Sequence, residues 1–215
     1  FYVKGLHNLL LAHFMLRNYP KFDEVLGRFE DFARRDEANA NINIQVQVFV
    51  YLALARMNEH FLKGTFSEGL ELANDIESRL GSWQLQIDRH RTLVFYYKIA
   101  CLYFGAGDSG TTVEYLNRII HPKADLRSDL QCYARLLHLI AHYELGNFGI
   151  LEHLIKSTYR FMAQLETLSA VEEEIFRFLR KAFQLDNPKR IRAAFSMLKE
   201  KLERLQADPF ESRSF

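Results

Sequence analysis

The chain has 215 residues, 48% hydrophobic and 13% aromatic, which is enough to bury a core and too apolar for a disordered segment. Only 10 Gly and 4 Pro leave little material for the tight turns of an all-β fold, so helix is the expected class. With 28 basic residues against 27 acidic, there is no global field to attract nucleic acid or an anionic membrane. The longest apolar run, Val48 to Ala55, falls far short of the ~20 residues that span a bilayer.

Apolar periodicity predicts helices near 2–17, 20–35, 38–62, 66–80, 84–104, 109–120, 126–145, 148–166, 170–184 and 188–206. The third is the least obvious. In "ANANINIQVQVFVY", residues 38–51, apolar and polar residues alternate as in a half-buried strand. Plotted at about 100° per residue, however, Ala38, Ile42, Val46, Phe49 and Ala53 gather on one side, and Ala40, Ile44, Val48, Tyr51 and Ala55 on the opposite side. Polar strips lie between them, Asn39, Asn43 and Gln47 on one flank, Asn41 and Gln45 on the other. A helix packed on two opposite faces has this pattern.

Helix-stop signals recur at "RNYPKF", "KGTF", "GAGDSG", "LGNF" and "LDNPKR". Aligning them on Asn18, Thr65, Asp108, Asn147 and Asn187 gives steps of 47, 43, 39 and 40, the range of stacked helix-turn-helix units. Gly81-Ser82 and Pro122 are expected in loops between units. No linker rich in Pro, Gly or Ser divides the chain, so 1–210 reads as one domain with a short tail at 211–215. It opens on Phe1 rather than Met, as a piece of a longer protein would, and its first residues do not resemble a signal peptide. Cys101 and Cys132 are too few for a disulfide framework. They read as small buried hydrophobes and favour a reducing, cytoplasmic setting.

"LVFYYKIACLYFGAGDSGTTVEYLNRII" resembles a tetratricopeptide (TPR) repeat, with Tyr96, Ile99, Ala100, Tyr103, Gly107 and Asp108 on the matching positions. "YELGNF" at 143–148 and Gly69 in "TFSEGLELANDI" are similar, while the first and fifth units match in periodicity and turn alone. The resemblance implies an all-α, right-handed α-solenoid of about five TPR-like repeats that binds a protein or peptide in a concave groove. Bacterial peptide-pheromone receptors are similar in their long TPR-like arrays. A ligand- or peptide-sensing regulatory domain attached to an upstream effector is therefore the alternative.

No catalytic constellation, cofactor or metal site is expected. "GAGDSG" spells G-x-G-x-x-G but follows a helix, so its glycines and Asp108 read as a helix stop and the next N-cap. "GDSG" lacks the two β-barrels of a trypsin-like protease. His138 and His142, at i and i+4, could grip a metal with His153 or Glu152, yet Leu139 stands where a zinc hydrolase needs Glu. Arg177, Arg180, Lys181, Lys189, Arg190 and Arg192 form the most basic run, and Glu172, Glu173 and Glu174 open the helix that Arg180 and Lys181 close, as a helix dipole favours. In the TPR-like register the groove falls to Asn43, Gln47, Tyr51, Leu54, Asn58 and Phe61. An offset of 43 carries this strip to Gln86, His90, Tyr97 and Cys101 one repeat on. Amide side chains there would pair with a peptide backbone. Ile191, Phe195, Leu198, Leu202 and Leu205 form a narrow stripe suited to a terminal cap or a homodimer seam, with Glu200 placed to meet Arg204.

Overall fold

A computed structural model describes residues 1–83, 86–121, 127–165, 169–182 and 187–207. Among them every regular element is helical: α1 (Tyr2–Met15), α2 (Tyr19–Ala33), a short 3-10 turn (Asp36–Asn39), α3 (Ile42–Lys63), α4 (Gly69–Ser82), α5 (Arg89–Gly105), α6 (Ser109–Ile120), α7 (Ser128–Glu144), α8 (Phe148–Gln164), α9 (Ala170–Ala182) and α10 (Pro188–Gln206). No described helix is long and apolar enough to cross a membrane. Two compact units, Phe1–Leu126 and Arg127–Phe215, divide the chain.

The alternating stretch is helical from Ile42 onward, and α3 packs on α1, α2, α4 and α5. That many neighbours explains its two apolar faces: Val46 and Ala53 are buried on one, Val48, Tyr51 and Ala55 on the other. The helix starts four residues later than expected. Asn41 is extended and its side chain accepts the Ile44 N–H, an N-cap that ends the preceding 3-10 turn. The expected start of the next inner helix is also corrected, because Asp88 caps α5 by accepting from the Arg91 N–H. Gly81 and Ser82 close α4 rather than forming a loop, while Pro122 and the tail 211–215 lie outside the described residues.

Four of the five turn marks share one backbone geometry. The residue before each, Arg17, Gly64, Gly107 or Gly146, has φ of 50°, 70°, 86° or 70°. The mark's own N–H then reaches back five residues: Asn18 to His13, Thr65 to His60, Asp108 to Tyr103 and Asn147 to His142, at 2.9–3.1 Å. This Schellman-type closure satisfies carbonyls that the helix end would orphan. The residue eight before each mark (Leu10, Met57, Ala100, Leu139) and the one four after it (Phe22, Gly69, Thr112, Leu151) are buried in every case. Spacing, turn and core positions therefore repeat together. The fifth mark, Asn187, caps α10 through the Lys189 N–H, but the turn before it lies outside the described residues.

In the first unit each hairpin also packs on the next: α1 on α2 and α3, α2 on α3, α3 on α4 and α5, α4 on α5, and α5 on α6. Two glycines permit the closest approaches. A Cβ on Gly69 would lie 2.9 Å from the Leu102 side chain, and one on Gly105 would lie 2.4 Å from the Phe66 ring. The second unit runs α7 on α8, α8 on α9 and α9 on α10 around Cys132, Leu139, Leu151, Ile155, Met162 and Phe176. The apolar stripe of α10 lies against α9, where Phe178 and Phe195 meet at 4.6 Å between ring centroids. Along the opposite face the pair formed is Lys199 with Glu203 rather than Glu200 with Arg204.

Candidate functional site

Side chains from α1, α3 and α5 meet in two rungs. In the first, His7 stacks on Tyr51 with ring centroids 4.0 Å apart and planes 9° from parallel, and the Arg91 guanidinium lies 5.9 Å from the Tyr51 ring centre. In the second, the Lys98 amine donates to Asn58 Oδ1 at 2.5 Å and stands 5.0 Å from the Phe61 ring and 5.5 Å from the Phe14 ring. The second rung lies seven residues beyond the first on all three helices, His7 to Phe14, Tyr51 to Asn58 and Arg91 to Lys98, with Phe61 of α3 added to it. Seven residues are close to two helical turns, so the rungs are stacked on one face about 10 Å apart.

The electrostatics of the second rung are unusual. No carboxylate pairs with Lys98 among the described residues. Burial of the amine pulls its pKa down to about 8, with the neighbouring Cys101 opposing this. Burial likewise pushes the Cys101 thiol up to about 11. His7 is also held below its ordinary value, first by burial and then by the charge of Arg91. The face therefore carries one imidazole biased to neutrality and two cations, Arg91 paired with Asp88 and Lys98 held by an amide and two rings.

The sequence-predicted strip is distributed as follows. Tyr51 and Asn58 are buried in the rungs, Phe61 and Leu54 are half-buried on the same side of α3, and Asn43 and Gln47 continue that side toward the helix N-terminus, exposed and half-buried respectively. Tyr97 is half-buried and bonded to Cys101. His90 is exposed in the first turn of α5. Gln86 is not on a helix; it lies in the turn that Trp83 opens, its N–H donating to the Trp83 carbonyl. Side chains touch across α3 and α5 at an offset of 40, Asn58 with Lys98 and Tyr51 with Arg91, while the equivalent turns at Thr65 and Asp108 stand 43 apart.

His7, Phe14, Arg91 and Lys98 were not picked out by sequence. A signal for Lys98 was present, since it is the sole charge in the run "LVFYYKIACLYF" from Leu93 to Phe104. Compared with protein-family models, curated proteins and solved structures, the chain matches none.

Other motifs resolve into local structure. In "GAGDSG", Gly107 takes the left-handed position and Asp108 caps α6 by accepting from the Thr111 N–H and hydroxyl. His138 and His142 face each other, Nε2 to Nε2 at 3.2 Å, and Asn147 Nδ2 lies 3.0 Å from the far nitrogen of His142. Burial lowers the pKa of His142. No group of three His, Cys, Asp or Glu side chains converges as metal ligands among the described residues. In the basic run, Glu174 takes Arg177 and Lys201, and Arg180 lies 4.7 Å from the Tyr159 ring centre. Ser169 and Glu172 bond reciprocally in a capping box at the start of α9.

Proposed function

We propose that the hairpins are TPR-like repeats, those of the first unit stacking with a right-handed turn, and that the face shared by α1, α3 and α5 binds an extended peptide or protein segment. In this reading the chain is a binding module rather than an enzyme. One observation carries the proposal: the two rungs bring polar and aromatic groups to the same face at matching heights on the first helices of three successive hairpins. Such a face offers a ligand side chains at a regular spacing and costs little to order, because the rungs are already packed. Asn43 and Gln47 extend it with amides able to donate and accept along a backbone. Arg91 and Lys98 favour acceptor groups on the ligand.

Selection from a displayed peptide library against the whole chain, followed by calorimetry on the enriched peptides, tests this. Asn43→Ala with Gln47→Ala should weaken binding by ~1 kcal/mol per lost hydrogen bond, and Tyr51→Ala or Lys98→Met by at least tenfold. Peptides that bind all of these variants as well as the wild type would place the binding face elsewhere.

A further inference from the structure

A second feature of the first unit lies on the other side of α5. A pocket of about 600 Å³ opens between the end of α4, the start of α5 and α6. That volume suits a small molecule rather than a chain segment. Its apolar floor is Leu80, Ile87 and Leu93, all buried. One wall is built of an aromatic and a cationic side chain: the Arg118 guanidinium lies 4.5 Å from the Tyr115 ring centre and 5.3 Å from that of Tyr96, two rings inclined 54° to one another. Glu77 fixes this wall by accepting hydrogen bonds from both Tyr115 and Arg118. Burial alone would raise the Glu77 carboxyl, but those two bonds hold it below the usual carboxylate range, so Arg118 is neutralised in place.

The charge at the mouth is different. Arg89 is exposed and lines the pocket one turn before Thr92. Its sequence neighbour Asp88 is engaged with Arg91, and Arg89 forms no ion pair among the described residues. The pocket thus joins a partly aromatic interior, fixed by Glu77, to an uncompensated cation at its entrance, the Thr92 hydroxyl beside it donating to the Asp88 carbonyl. Across from them Gly81 contributes no side chain, and a Cβ placed there would meet nothing within 4 Å.

We propose that this pocket binds a small planar molecule carrying an anionic group, the flat body against the Tyr96 ring and Arg118 and the anion at Arg89. Guanidinium and phenol faces stack on aromatic or conjugated rings, and a guanidinium is matched to a carboxylate or phosphate oxygen pair. The site is independent of the α1–α3–α5 face.

The test uses the whole chain and 2-naphthoate as probe, followed by calorimetry. Wild type should bind one equivalent with a Kd of ~1 mM or tighter, as a fragment of this size gives in a preformed site. The uncharged 2-naphthamide and the Arg89→Ala variant should each lower the affinity at least fivefold. Gly81→Phe, which projects into open space from the last turn of α4, should abolish binding while circular dichroism and the fluorescence of Trp83 stay unchanged. Lys98→Met, which removes the second rung, should leave naphthoate binding intact. The proposal is overturned if the wild type does not bind the probe, if 2-naphthamide binds equally well, if Arg89→Ala and Gly81→Phe bind normally, or if Lys98→Met removes binding too.

Discussion

Lys98→Met should make the protein more stable, even though it deletes a hydrogen bond. An amine that loses its proton near pH 8 instead of 10.5 carries, in its charged form at pH 7, a penalty of about 3 kcal/mol. Methionine fills a similar volume with no charge and removes that penalty. Against this, Asn58 Oδ1 loses its donor at a buried position, which costs about 1–2 kcal/mol. The expected net gain is about 1–2 kcal/mol at pH 7. Urea unfolding followed by the fluorescence of Trp83, the single tryptophan, reports on this unit directly.

The pH dependence supplies a second arm. The folded amine is depressed, so the unfolded chain holds the proton longer and wild-type stability climbs as pH rises above about 8. Cys101 works in the opposite sense. Its thiol is raised to about 11 in the folded state from an ordinary value of 9, so its contribution is complete below pH 9 and fades from there to 11. The wild type should therefore gain stability mainly between about pH 8 and 9, and the variant should show no climb there. A Lys98→Met protein less stable than wild type at pH 7, or a wild type flat between pH 8 and 9, would refute the desolvated amine.

Three further outcomes are expected. Gly105→Ala should cost about 1–3 kcal/mol in urea unfolding, because its Cβ would stand 2.4 Å from the Phe66 ring, whereas Gly149→Ala in α8 meets nothing within 4 Å and should be neutral or stabilising. Burial lowers the His142 pKa, so its contribution is present above the unfolded value of 6.5 and is lost as pH falls through the folded value. His142→Gln should flatten the stability profile below about pH 6.5. Arg17→Gly should stabilise by about 0.5–1 kcal/mol, since Arg17 holds φ of 50° at the position where the equivalent turns place glycine, and a rise in the unfolding midpoint would register it.

The turns were legible in the sequence because they have chemical requirements. A left-handed residue needs Gly at 64, 107 and 146, and the following Asn, Asp or Thr caps the next helix or bonds to the preceding one, as Thr65 does with His60. Those constraints fix helix ends within a residue or two. Helix starts were harder to place. Residues 38–41 and 86–88 follow the apolar alternation of the helices they precede, and only the caps at Asn41 and Asp88 break them off. A cap reads as one more polar residue unless it is weighed above periodicity.

The site was less legible for a geometric reason. Equivalent turns, Thr65 and Asp108, show which helix follows which, and from them Asn58 corresponds to Cys101. Neighbouring helices need not meet at equal distances from their turns. Here α3 and α5 meet with Lys98, three residues before Cys101, at the height of Asn58, a shift of about 4–5 Å along the axis. Three residues is nearly one helical turn, so Lys98 and Cys101 lie close to one face of α5, and equivalence between turns does not by itself name the side chains that touch. The strip on α3 needed no register and was placed on a single side. The same reasoning explains why Lys98 escaped attention. A lysine is read as solvated unless its neighbours say otherwise, and here the sign lay in eleven uncharged neighbours of one apolar run and in two rings supplied by α1 and α3. If Lys98→Met stabilises the protein as expected, the bond to Asn58 and the two ring contacts return less than burial of the charge costs. A ligand's acceptor group at the amine would complete the rung, which ties the stability experiment on Lys98 to the binding experiment on the same residue.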